Sequence, residues 1–187
     1  MASIGSQGLN DFLYDWVQSE MPGKQAWIGG HSADTWGDWS WTDGAAWSYT
    51  NWADSQPKKD DMGMGDENCV AINNWGNGLG QWCFCPMPNI LFSDYFHKSQ
   101  MPDIFYNRNT IWEGHWFDFH CEYSFFPFFC SMTPKALSVD DCPKDDSWPY
   151  TWRVYGRMCY SLGTTPMDWN FAKEQCDTEV NYHSYFL

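Results

Sequence analysis

Eight cysteines in 187 residues constrain this chain more than anything else in it. They are Cys69, Cys83, Cys85, Cys121, Cys130, Cys142, Cys159 and Cys176. The count is even and the density is high for a reducing compartment, so the pattern predicts disulfides and an oxidising location. A chain of this length holds one ordinary domain, or one and a fraction. Aromatic residues are 20% of the sequence, with 14 Trp. Each ring buries roughly 150–250 Å², so a cross-linked core can be built from few residues.

Several functional classes fall away. The formal net charge is −14, whereas nucleic-acid partners are met by basic patches. No stretch approaches the ~20 apolar residues of a membrane span, so no membrane insertion is expected within the chain. Met1 is followed at once by polar, Gly-rich sequence instead of a secretion leader, and a secreted-type body without one reads as a fragment or a mispredicted start. No nucleophile elbow, paired-His metal motif or phosphate loop is present, so an enzyme is not expected. Cys83-x-Cys85 with His97, His115 and His120 fits no tetrahedral zinc spacing.

Along the chain, residues 6–19 predict a helix. Ser6 is placed to cap it, and Leu9, Phe12, Leu13, Trp16 and Val17 form one apolar stripe. Pro22-Gly23 ends it. Ala26–Gly30 predicts a short buried strand, and Cys69–Ile72 another. Between them Trp36, Trp39, Trp41, Trp47 and Trp52 recur among Asp, Gly and Ser, as in loops pinned by aromatics. Residues 54–66 are polar and rich in Gly, Pro and Asp. Residues 76–112 show no period and read as an irregular insertion. Gly114–Cys130 reads as a turn, a Cys-containing loop and a strand at Phe125–Cys130. After a linker at 132–141, Tyr155–Tyr160 reads as a strand. Thr165 then reads as the cap of a second helix, with Pro166 at its first position and Trp169, Ala172 and Cys176 on its buried face.

These pieces occur in a specific order. Trp27-Ile28-Gly29-Gly30, Trp41-Thr42-Asp43-Gly44, Asn51-Trp52, Gln56-Pro57, Glu67-Asn68-Cys69-Val70, Gly114-His115-Trp116-Phe117-Asp118, Cys121 and Pro127-Phe128-Phe129-Cys130 together resemble the C-type lectin-like domain family. Cys142-Pro143, Cys159-Tyr160 and Trp169-x-x-Ala172-x-x-x-Cys176 look like the first strand and helix of another such domain. Residues 76–112 match nothing in it.

The resemblance implies an α+β, C-type lectin-like fold: two helices, small antiparallel sheets and a long ligand-carrying loop region. It implies a first domain at 1–131 lacking its first strand and helix, and the N-terminal part of a second at 142–187. It pairs Cys69 with Cys121 and Cys142 with Cys159. Two readings of the tail stay open. Either it begins a second domain, with Cys176 unpaired, or it turns back across 131–141 to complete the first, with Cys130 bonded to Cys176.

Sugar-binding family members hold calcium in a shell of about 6–8 oxygen atoms. The matching positions here are Gln56, Lys58, Glu67, Phe117 and Asp118. Gln56, Glu67 and Asp118 supply oxygen; Lys58 and Phe117 do not, so the calcium site reads as impaired. Asp60, Asp61 and Asp66 lie nearby in sequence. Trp41, Trp52 and Trp116 read as core and loop anchors, and a cis Gln56-Pro57 bond as the shaper of the loop. The functional expectation is an extracellular, carbohydrate-binding module, secreted or part of a receptor ectodomain, whose partners are glycans or a glycoprotein. The alternative is a calcium-independent, protein-binding domain of an adhesion or endocytic receptor.

Overall fold

The computed structural model describes residues 1–32, 36–58, 67–73, 114–133, 142–143 and 152–186, with side chains as far as Glu179. The insertion expected at 76–112, Asp60, Asp61 and Asp66 therefore lie outside the described residues.

The first element, α1, is Gln7–Glu20. Ser6 accepts the Leu9 N–H through its hydroxyl at 3.3 Å, satisfying one of the donors a helix start leaves orphaned. Leu9, Leu13, Trp16 and Val17 are buried along one stripe, and the Met21 N–H closes the end on the Val17 carbonyl. Next come β1 (Ala26–Ser32), β2 (Trp39–Trp41), β3 (Cys69–Ile72), β4 (Trp116–Phe119), β5 (Phe126–Met132), β6 (Trp152–Tyr155) and β7 (Met158–Met167). The last element is α2, Trp169–Phe186.

The strands make one mixed sheet in the order β4-β3-β1-β5-β7-β6, with β2 paired to β1 off that path. β1 and β5 run parallel through Trp27↔Phe128; β3/β4, β5/β7 and β6/β7 are antiparallel. Side chains alternate across a strand, and here the alternation fills two cores. Ala26, Ile28, Val70, Ile72, Phe129 and Leu162 face α1 with Leu13, Trp16 and Val17. Trp27, Cys69, Ala71, Phe128 and Cys130 face α2 with Trp169, Ala172 and Cys176. The sheet is thus covered on both faces, which is why β1 is buried at six of its seven positions.

Three disulfides form: Cys69–Cys121, Cys130–Cys176 and Cys142–Cys159. The first joins β3 to the end of β4. The second joins β5 to α2 through the lower core. The third ties Cys142 to β7.

The structure departs from the sequence reading at four elements. Tyr155–Tyr160, read as one strand, is a hairpin: β6 ends at Tyr155, the chain turns through Gly156 at φ 61°, and β7 begins at Met158. Trp39–Trp41 and Trp116–Phe119 are strands, where loop was expected. The second helix starts at Trp169, not after Thr165, because β7 runs on to Met167, which pairs with Phe126 on β5. Asp168 takes the capping role, its carboxylate accepting the Phe171 N–H at 3.0 Å.

One buried polar hub joins α1 to β4. The Asn10 amide donates to the Gly114 carbonyl at 2.9 Å and accepts the Trp116 indole N–H at 2.7 Å. Asn10 is 1% exposed, so removing its side chain strands the buried Trp116 indole N–H, while the Gly114 carbonyl keeps the Asn51 amide donor at 2.8 Å. Asn10→Ala is expected to lower unfolding free energy by about 1–3 kcal/mol for the group left unpaired. Urea denaturation with an unchanged slope measures it.

Candidate functional site

The candidate site is built at the β3–β4 end of the sheet from three backbone stretches. The first is the Trp-rich crossing from β2 to Ala53. Trp116 lies fully buried beneath it, with Trp41, Trp47, Tyr49 and Trp52 rings at 5.5, 5.9, 5.5 and 5.9 Å. Trp39 stands against Trp52 at 4.9 Å. Trp39, Trp47 and Trp52 are half-buried and form the outer layer of the cluster. Such edge-on and tilted ring pairs contribute about 0.5–1.5 kcal/mol each beyond their buried area, so this irregular chain is held without regular structure. Gly30 permits it: a Cβ there would lie 2.8 Å from the Val70 side chain and 3.0 Å from the Trp47 ring.

The crossing is also stitched to β4 by backbone bonds. The Trp116 N–H donates to the Asn51 carbonyl at 2.7 Å, and the Ala53 N–H to the Trp116 carbonyl at 3.1 Å. The chain then turns through Ser55, at φ 66°, and a cis Gln56-Pro57 bond. The Gln56 N–H donates to the Ala53 carbonyl at 3.0 Å.

That turn delivers the Lys58 backbone N–H to Asp118 on β4. Both carboxylate oxygens accept it, at 2.8 and 3.0 Å. Asp118 is 2% exposed, and burial pushes its carboxyl up to about 7. The Lys58 N–H opposes that shift; the negative field of Glu67 adds to it, and His120 opposes it. Glu67 in turn lies 3.9 Å from the His120 ring nitrogen.

Of the residues singled out from sequence, Asp118 and Glu67 are brought within electrostatic reach of each other. Gln56 lies two residues from the donor that holds Asp118. Its side-chain oxygen is buried and finds no hydrogen-bond donor among the described residues, and the same holds for the Asn68 side-chain oxygen. Lys58 is exposed and Phe117 is half-buried beside Phe119, their rings 6.4 Å apart. The buried Gln56 oxygen suits a cation. The ammonium at 58, the phenyl at 117 and the commitment of both Asp118 oxygens to a peptide donor do not. Among the described residues, this set does not complete a calcium shell. Sequence reasoning missed the Lys58 N–H and His120. A backbone donor has no side-chain signature, and the role of His120 follows only from the pairing of β3 with β4.

Because its folded value lies above 3.8, the Asp118 carboxyl favours folding when protonated. That contribution is complete below about pH 4 and is lost as pH rises through about 7. The stability of the parent relative to Asp118→Asn should therefore fall between pH 4 and 7 and stay level outside that window. Denaturation midpoints across pH measure it; a difference independent of pH would contradict the burial of this carboxyl.

Residues 1–86 match the family model described as the Lectin C-type domain. The chain is 33% identical over 87 residues to the low affinity immunoglobulin epsilon Fc receptor of Mus musculus, covering 46% of this chain and 23% of that protein. It is 24% identical over 157 residues to C-type mannose receptor 2 of Rattus norvegicus, covering 80% of this chain and 8% of that receptor. Among solved structures it is similar to the mouse scavenger receptor C-type lectin carbohydrate-recognition domain, with 20% identity, a TM-score of 0.39 and coverage of 65% and 62% of the two chains. The chain spans less than a quarter of the length of either relative. Among the described residues, no helix is long and apolar enough to cross a membrane.

Proposed function

Because this chain carries a C-type lectin-like domain, we propose that it is an extracellular recognition module that binds a glycan or glycoprotein partner without calcium. The observation that carries the reading is the double acceptance of the Lys58 N–H by Asp118. Calcium in such a loop organises the backbone and supplies positive charge for buried carboxylates. Here a peptide N–H does the second task, and the ring cluster under Trp39, Trp47 and Trp52 does the first.

Two further observations support the reading. The three disulfides suit an oxidising, extracellular compartment,. The site also offers half-buried indoles at Trp39, Trp47 and Trp52, groups suited to the apolar face of a sugar.

Calcium titration by calorimetry, on oxidised and folded protein with a chelator control, tests this directly. The parent should give no saturable heat below about 1 mM calcium, the weak end of extracellular calcium modules. Glycan-array or glycoprotein capture should persist in chelator. Stoichiometric calcium binding by the parent, or capture abolished by chelator, would overturn the reading. The double variant Lys58→Asp/Phe117→Asn leaves the residue-58 N–H in place and supplies the two missing oxygen side chains. It should acquire calcium affinity that neither single variant shows.

A further inference from the structure

We infer that Trp152–Phe186 is an obligate part of the same recognition domain, not the opening of an independent one. On this account the body of the domain, centred on β1, β5 and α1, is a receptor for its own β6–β7–α2 segment.

The argument starts at the sheet. β7 pairs with β5 from Phe126↔Met167 to Met132↔Cys159. Without it, β5 would present an unpaired edge beside Phe128 and Phe129, both fully buried. Exposed apolar edges of that kind are what proteins avoid. The fit is close: a Cβ at Gly163 would lie 2.4 Å from the Phe128 ring, so β7 carries glycine where that ring crosses it.

Side-chain contacts extend the same seam to three other parts of the body. The Trp27 indole N–H donates to the Met167 carbonyl at 2.9 Å, and the Trp169 indole N–H to the Ile28 carbonyl at 3.0 Å. Arg153 pairs with Glu20 at 2.8 Å and lies 4.3 Å over the Trp16 ring. Tyr155 packs on Phe12 at 5.1 Å. Cys130–Cys176 locks the seam from the opposite face.

The segment also reaches the candidate recognition site. The Trp169 backbone N–H donates to the Cys121 carbonyl at 2.9 Å, next to His120 and three residues from Asp118. The Trp169 ring lies 5.3 Å from that of His31, which is paired with Ser40 on β2. The segment therefore braces β1 and the chain just past β4, and this part of the inference rests on the site being the recognition face.

The test cuts the chain. A protease site placed between Thr133 and Cys142 separates body from segment while leaving Cys142–Cys159 within the segment and Cys130–Cys176 as the only covalent link. The cut protein should elute as one species and unfold in one transition, with the midpoint of the uncut chain. Cut protein bearing Cys130→Ala/Cys176→Ala should still co-elute in native buffer. Two separate transitions, or separation of the pieces while the body keeps its near-UV signal, would overturn the inference. Two readouts do not depend on the cysteine variant folding. Peptide mapping of the uncut parent should find Cys130 bonded to Cys176, and a free Cys176 would contradict the seam. Gly163→Ala should lower the single transition midpoint of the whole chain; a midpoint unchanged for the body would overturn the inference. Because these readouts need no ligand, they succeed or fail independently of the calcium-free recognition reading.

Discussion

The structure depends on β1 being buried on both faces. A strand in that position needs a helix above, a helix below and a paired neighbour on each side. The molecule supplies α1 and α2 as the two covers, with β3 and β5 as the neighbours. Ile28 belongs to one core and Trp27 to the other, so a slip of one residue would exchange them and empty both cores. The register is further pinned by two indole N–H groups: that of Trp27 on β1 donates to the Met167 carbonyl at the end of β7, and that of Trp169 on α2 to the Ile28 carbonyl on β1. From this fixed strand the chain leaves at Ser32 toward the ring cluster, so the geometry of the site is inherited from the sheet.

The site itself solves an electrostatic problem. Asp118 is buried on β4 beside half-buried Phe117 and Phe119, the latter packed on the α2 side against Trp27 and Phe126. A buried carboxylate without a counter-charge is costly. The fold offsets part of that cost locally, by aiming the peptide N–H of Lys58 between its two oxygens and placing His120 nearby, while burial still raises the carboxyl to about 7. The cis bond at Gln56-Pro57 and the positive φ of Ser55 lie on the approach to that N–H.

Much of this was legible in the sequence, for physical reasons. α1 showed itself because a 3.6-residue stripe coincided with a capping Ser6. β1 showed itself as an apolar run ending in glycines. β4 did not, because the run Trp116-Phe117-Asp118-Phe119 has no alternation of apolar and polar residues: a buried carboxylate sits on one face and half-buried phenyls on the other. The start of α2 was misplaced because Thr165-Pro166 carries the signature of a helix start, whereas β5 offered Met167 a strand partner and Asp168 a better cap. Gln56, Glu67 and Asp118 were found through a family resemblance; the contact that decides their chemistry is made by backbone and could not be. The resemblance brought Cys130 and Cys176 together only as one of two open readings of the tail, because spacing alone does not choose between partners.

The central claim is that a peptide donor stands where a calcium ion would otherwise be needed. The Lys58 amide proton reports on it most directly. Its exchange rate and chemical shift can be followed by NMR in chelator and then through a calcium titration. If Asp118 is held as described, the Lys58 amide is protected in chelator and its resonance does not move as calcium rises to millimolar levels. An unprotected amide in chelator, or a saturable shift with calcium, would mean that the ion and not the N–H organises this loop.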